Sequence, residues 1–142
     1  MISKMSVLAT ALGLFSTSIA TGPTASTPPA QDRSPTSADP FKQIPRERWL
    51  AESARAFAIR DKNPQAPIHL LVISKDAIPT MLDAPDDLLG EMLGLAKRVA
   101  VQQGIAGDGF RVVINTRQKG GQSVYHVHMH VLGGRQMTWP PG

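Results

Sequence analysis

Three of the chain's four histidines, His126, His128 and His130, stand at alternate positions in the stretch Gly120-Gly121-Gln122-Ser123-Val124-Tyr125-His126-Val127-His128-Met129-His130-Val131-Leu132. Alternation is the side-chain period of a β-strand. The spacing therefore predicts three imidazoles on one face and Tyr125, Val127, Met129 and Val131 on an opposite, packing face. Near neutral pH an imidazole offers a general acid or base, a nucleophilic nitrogen or a metal ligand. Same-face neighbours on a strand lie about 6.6 Å apart and the outer pair roughly 13 Å, so two adjacent rings reach one ion more easily than three. The remaining histidine, His69, would allow a tetrahedral zinc site with two of them and a water or carboxylate. On spacing alone, nucleophilic chemistry, metal binding and a structural role all stay open.

The elements that must position these rings can be read in chain order. Pro45 opens a short helix, and Arg55 to Ile59 reads as a strand ended by the turn Asp61-Lys62-Asn63-Pro64. Pro67 to Ser74 is a nearly continuous branched apolar run, expected as a central strand with His69 near its start. Leu88, Leu89, Met92, Leu95, Ala96, Val99 and Ala100 recur at spacings of three and four. They predict an amphipathic helix from about Pro85 to Gln103 that covers one face of a sheet, with Asp86 and Asp87 in its first turn. Gly109 to Asn115 is the next strand, and the loop through Gly120 and Gly121 joins it to the histidine strand as an antiparallel pair. Those glycines either only let the chain turn or, beside Gln122 and Ser123, leave backbone N–H groups open to an anion. Asn115 ends its strand level with the histidines, where its amide would serve either the turn or a sugar or phosphate. Trp139, in a tail rich in glycine and proline, is expected to pack on something, such as a neighbouring subunit.

The 142 residues suffice for one domain, and the absence of cysteine excludes disulfides, thiolate zinc sites and a thiol nucleophile. The net charge of +4 is scattered rather than gathered with aromatics, so nucleic-acid binding is not expected. Residues 1–20 read as an export signal, with Lys4, an apolar run and a Ser18-Ile19-Ala20 ending. The apolar run is too short and too hydroxylated for a stable membrane span. Residues 21–40 have the Thr, Ser, Pro, Ala and Gly composition of a flexible linker, which places the folded domain at residues 41–142. A periplasmic or secreted location follows, or a cytoplasmic one if the start is misassigned.

At His126-Val127-His128-Met129-His130-Val131-Leu132 the sequence resembles the His-x-His-x-His-x-x pattern of the histidine triad nucleotide hydrolases. Gly120 to Tyr125, the ending Gly-Gly-Arg-Gln-Met-x-Trp-Pro-Pro-Gly and Pro64 to His69 resemble the Hint branch in particular. The resemblance implies an α+β fold, with an antiparallel sheet and one long helix, and a homodimer whose C-terminal tails, Trp139 included, reach toward the partner's site. It implies hydrolysis of purine nucleoside 5′-phosphoramidates with no cofactor and no metal. His128 matches the transiently nucleotidylated nucleophile, and His130, where transferase relatives carry glutamine, favours hydrolysis. His126 and His69 complete the catalytic set. Asn115, Ser123 and the N–H groups of Gly121, Gln122 and Ser123 match phosphate and ribose contacts, and Asp61 an acid that binds ribose hydroxyls. Lys62 departs from the family, standing where an apolar residue usually packs on the base, and residues 41–50 align poorly. Two alternatives share these residues: a dinucleoside polyphosphate hydrolase of the related Fhit branch, and a nucleotide-binding module with little turnover.

Overall fold

The computed structural model describes residues 39–141; the segments read as export signal and, up to residue 38, as linker lie outside them. Five strands form one wholly antiparallel sheet: β1 (Ala51–Glu52), β2 (Ala56–Arg60), β3 (Ile68–Ser74), β4 (Phe110–Val113) and β5 (His128–Gly133), in the order β1-β2-β3-β5-β4. One helix, α1 (Asp86–Gln102), packs on one face. The expected α+β architecture with an antiparallel sheet and one long helix is what the chain adopts.

The pleat divides the sheet's residues between two clusters. Ala56, Ala58, Leu70, Val72, Met129 and Val131 meet Leu88, Met92, Leu95, Ala96, Val99 and Ala100 of the helix, all of them almost fully buried. Alanines at 56 and 58 let the helix lie close to β2. On the opposite face Phe57, Ile59, Leu71 and Ile73 are covered by Phe41, Ile44 and Trp49 from the residues before β1, with Trp49 stacked on Phe57 at a ring separation of 4.2 Å. This second cover is short. It closes over β2 and β3 and meets β5 only at its edge, where Phe41, Ile44, His128 and His130 line a cavity.

Several boundaries differ from the sequence reading. The helix expected at Pro45 is a single 3-10 turn, Arg46–Arg48, and β4 ends at Val113, two residues before Asn115. The histidine strand begins at His128 instead of carrying all three alternating histidines, so His126 precedes it. The cause lies in the competing bonds of residues 126 and 127: Val127 donates its N–H to Ile78 O and accepts from Ser74 N–H, which draws the chain off the β3–β5 ladder. Its packing face is otherwise as expected, with Val127, Met129 and Val131 in the helix-side cluster and Tyr125 half-buried outside it.

The register of β5 is locked at its far end. Gly104, at φ +73°, closes α1 in a Schellman turn: its N–H bonds Val101 O while Ile105 N–H reaches back to Ala100 O. Ile105 is thereby driven into the core over Gly133, where a methyl group would stand 2.7 Å from its Cδ1. Replacing Gly133 with alanine is expected to lower stability by about 1–3 kcal/mol, the cost of overpacking a closed core. Urea unfolding of the two proteins measures it, and equal midpoints would show that Ile105 yields freely.

Candidate active site

Register places the chemistry. His69, Leu71 and Ile73 of β3 stand opposite Leu132, His130 and His128 of β5, so the two strand histidines and His69 share the face away from the helix. There they line, or stand beside, a cavity of about 300 Å³ whose walls include Phe41, Ile44, Ile59, Asp61, Lys62 and Ser123. That volume is at the lower end of what small-molecule sites occupy. The sequence expectation of rings on one face holds for His128 and His130; His126, outside the strand, is brought to the same side by Phe41, whose edge meets both His126 and His128.

Hydrogen bonds fix the protons. His128 Nδ1 lies 2.7 Å from His126 O. A carbonyl only accepts, so Nδ1 carries the hydrogen and Nε2 keeps its lone pair. The carbonyl is available because His126 lies before the ladder begins. His69 Nδ1 accepts the N–H of Gln65 at 3.1 Å, so its proton is on Nε2, 2.9 Å from His130 Nδ1. His130 accepts there, and its own proton is left on Nε2. The site thus pairs a bare nitrogen on His128 with an N–H on His130, their ring centroids 5.0 Å apart.

Burial disfavours the charged form of both rings. It is the main reason that His128 is pushed below the usual histidine value, with the neighbouring His126 adding to the shift and the bond to His126 O and the Asp61 carboxylate opposing it. His130 falls further, to about 4, again chiefly by burial and then by the proximity of His128 and His69. An imidazole can act as a nucleophile or base only when unprotonated, and both shifts favour that form.

The remaining sequence-predicted residues divide. Asp61 and Lys62, in the turn after β2, and exposed Ser123 line the cavity. Asp61 accepts the N–H of Asn63 at 2.8 Å, and its other carboxylate oxygen stands 3.4 Å from His69 Nε2. Asn115, Gly121, Gln122 and Trp139 are not among the lining residues. The N–H groups of Gly121 and Gln122, expected to be open, are spent on Gln118 O and Arg117 O; among the described residues only Ser123 N–H of the three is without a partner. The buried Gln122 side chain braces the loop instead, accepting from Arg117 N–H at 2.7 Å and donating to Pro79 O at 2.7 Å and Val124 O at 3.0 Å. Trp139 is 84% exposed. Sequence reasoning missed Asp39, Pro40 and Phe41. Composition assigns the first two to a linker, yet Asp39 bonds His126 at 2.7 Å while Pro40 and Phe41 wall the cavity. The one signal was local: a carboxylate and an aromatic flanking a proline at the end of a stretch otherwise poor in both.

Asp61, His69 and His130 form an acid-and-imidazole set of a kind zinc accepts, their ligand atoms lying within 4.8 Å of one another. As the rings stand, His69 Nε2 and His130 Nδ1 are at hydrogen-bond separation, 2.9 Å, and the set serves to fix protons; no step below passes through a metal.

An α+β protein with histidines clustered at the head of a central strand, one of them holding a bare ring nitrogen, is the class that fold and site define. Residues 42–137 match the model of the HIT domain, and the chain belongs to the HIT family. It is 48% identical over 118 residues to the 14 kDa zinc-binding protein of Zea mays, covering 78% of this chain and 91% of that protein. To the adenylylsulfatase HINT1 of Arabidopsis thaliana it is 47% identical, over 71% of each chain, which makes it Hint-like within the family. A HIT family hydrolase from Legionella pneumophila superposes with a TM-score of 0.63 at 49% identity, over 67% of this chain and 88% of that one. Family and likenesses together support a hydrolase. Among the described residues no helix is long and apolar enough to cross a membrane.

The depressed histidines carry a pH signature. Above pH 6.5 neither the folded nor the unfolded chain protonates His130; between 6.5 and about 4 the unfolded chain takes a proton that the folded one refuses, so stability falls over that window. Thermal unfolding of the unaltered chain is expected to lose more between pH 6.5 and 4 than that of His130→Asn. Parallel curves would show that His130 is not held neutral.

Proposed function

We propose that this chain hydrolyses the P–N bond of purine nucleoside 5′-phosphoramidates through a covalent nucleotide on His128. The observation that carries the reading is the bond from His128 Nδ1 to His126 O, which leaves the Nε2 lone pair at a cavity shared with His130, Ser123 and Asp61. In the first step Nε2 attacks phosphorus and the P–N bond breaks, the amine leaving with a proton from the site or solvent. In the second, water attacks phosphorus, the P–Nε2 bond breaks, and a nucleoside monophosphate is released. Splitting one displacement in two lets a single nitrogen serve as nucleophile and then as leaving group. The N–H of His130 and the hydroxyl and N–H of Ser123 would stabilise charge on the phosphoryl oxygens, and Asp61 would take ribose hydroxyls. Phe41, Ile44 and Ile59 offer the base an apolar slot.

A second reading keeps the nucleophile and changes the leaving group. Arg48 and Lys62 stand exposed at the cavity, and neither has an ion-pair partner among the described residues. Two unspent cations suit an anionic leaving group, and the Arabidopsis relative is named an adenylylsulfatase. One experiment separates the readings. Chain treated with a chelator is mixed with adenosine 5′-phosphoramidate or with adenylyl sulfate, while intact mass and product are followed. A transient adenylyl adduct with turnover of the phosphoramidate, both absent from His128→Ala, is expected. Faster turnover of the sulfate, slowed in Lys62→Ile, would favour the second reading. Diadenosine polyphosphate as the better substrate would move the chain to Fhit-like chemistry, and nucleotide binding without adduct or turnover would leave a binding module. Activity lost to the chelator and restored by zinc would overturn the metal-free scheme.

Homodimerisation and export belong to the same proposal. Exposed Trp139 is an apolar surface suited to a second copy, and a contact there would bring the tail to the partner's site. Residues 1–20 would direct export. Expression of the full chain is then expected to yield an extracytoplasmic dimer beginning at Thr21, as read by N-terminal sequencing and light scattering. A cytoplasmic monomer retaining Met1 would refute both.

A further inference from the structure

The scheme above uses the carbonyl of His126 but not its ring, although that ring is 2% exposed and bonded on both nitrogens. His126 Nε2 lies 2.8 Å from Ser74 O, and Nδ1 lies 2.7 Å from Asp39 Oδ2. A backbone carbonyl only accepts hydrogen bonds, and so does an ionised carboxylate. Each nitrogen facing one must carry a hydrogen, and a ring with two N–H groups is an imidazolium. Asp39 suits that role. Burial would raise its carboxyl, but the bonds from His126 and from Phe41 N–H outweigh burial and hold it below the usual carboxylate value. Its Oδ1 accepts Phe41 N–H at 3.0 Å, which turns Oδ2 toward the ring.

The other charged groups about His126 do not compete for it. Lys42 and Lys75 line the small cavity beside the ring. Lys42 is exposed and adds to the positive field on Asp39, and Lys75 is engaged by Glu52 and by Ser53 O, both at 2.7 Å. On β5 the neighbouring titratable group is His128 itself, and β3 contributes Ser74 O. Asp39 is the one carboxylate bonded to His126 among the described residues.

We propose, on the phosphoramidase reading, that Asp39 is a positioning residue for His128, holding His126 as an imidazolium whose carbonyl orients the nucleophile and whose charge keeps that nucleophile unprotonated. Two adjacent imidazoles cannot both become cationic without repulsion, so a proton fixed on His126 disfavours one on His128. The same cation adds positive potential near the phosphoryl group. Because the segment that supplies Asp39 also supplies Phe41, the clasp on His126 and the wall of the nucleotide cavity form together.

The test is nitrogen NMR of the imidazoles in the full chain near pH 7, paired with pH–rate profiles of the unaltered chain and Asp39→Asn. Asparagine keeps the size and can donate to a neutral ring, so folding is preserved while the charge is lost. Two protonated nitrogens on His126 and one on His128 are expected in the unaltered chain, and one on each in the variant. The acid limb of kcat/KM should then move to higher pH by roughly half to one unit, with KM little changed near neutrality. A bare nitrogen on His126 in the unaltered chain, or superimposable acid limbs, would overturn the assignment. The spectra report the ring whatever the substrate, so a failure of the phosphoramidase reading is told apart from a failure of this one.

Discussion

The site depends on one hydrogen bond, from His128 Nδ1 to the carbonyl of His126. A histidine on a regular strand would find its neighbours' carbonyls already taken by the adjacent strand, and its tautomer would be left to solvent. Here β5 starts at His128 and the two residues before it are drawn aside by Ser74 and Ile78, which frees a carbonyl two positions upstream. The departure from ideal strand geometry is what fixes a single tautomer, with the Nε2 lone pair left bare.

The rest of the architecture serves that arrangement. The helix fills only one face, and the Schellman turn at Gly104 seats Ile105 on Gly133, locking the far end of the same strand. On the other face the cover from Phe41, Ile44 and Trp49 lies over β2 and β3 and reaches β5 where the Phe41 ring meets His128, so the rings are walled without being sealed. Burial lowers the basicity of His128 and His130 while the cavity of about 300 Å³ still leaves them reachable. His69 fixes its neighbour as the His126 carbonyl fixes His128, and the two rings present complementary nitrogens, one bare and one protonated.

Much of this was legible in the residues. The three-and-four spacing from Leu88 to Ala100 placed the helix within a residue at each end, and alternation put Met129 and Val131 in the core opposite His128 and His130. What misled was local bonding that composition does not record. The Gly120-Gly121 pair suggested open N–H groups, but a tight turn consumed those of Gly121 and Gln122, and Gln122 became a buried brace. Alternation extended the strand back through His126 because periodicity cannot reveal that Val127 is claimed by Ile78. Asp39 was hidden by its neighbours: a stretch rich in Thr, Ser and Pro signals a lack of packing on average, and one carboxylate that finds a buried imidazole is invisible to an average.

The sheet gives the molecule two nearly independent tasks on opposite surfaces. Helix-side residues meet one another and the strands, whereas Phe41, Ile44, Arg48 and Lys62 meet the cavity and belong to short connecting segments outside the five strands. Substitutions in that rim need no compensating change beneath the helix. Of the rim residues, Phe41 and Ile44 also cover the smaller cluster, whereas exposed Arg48 and Lys62 carry no such duty. The wall of the cavity can therefore change at those two positions while the strand carrying His128 and His130 stays as it is.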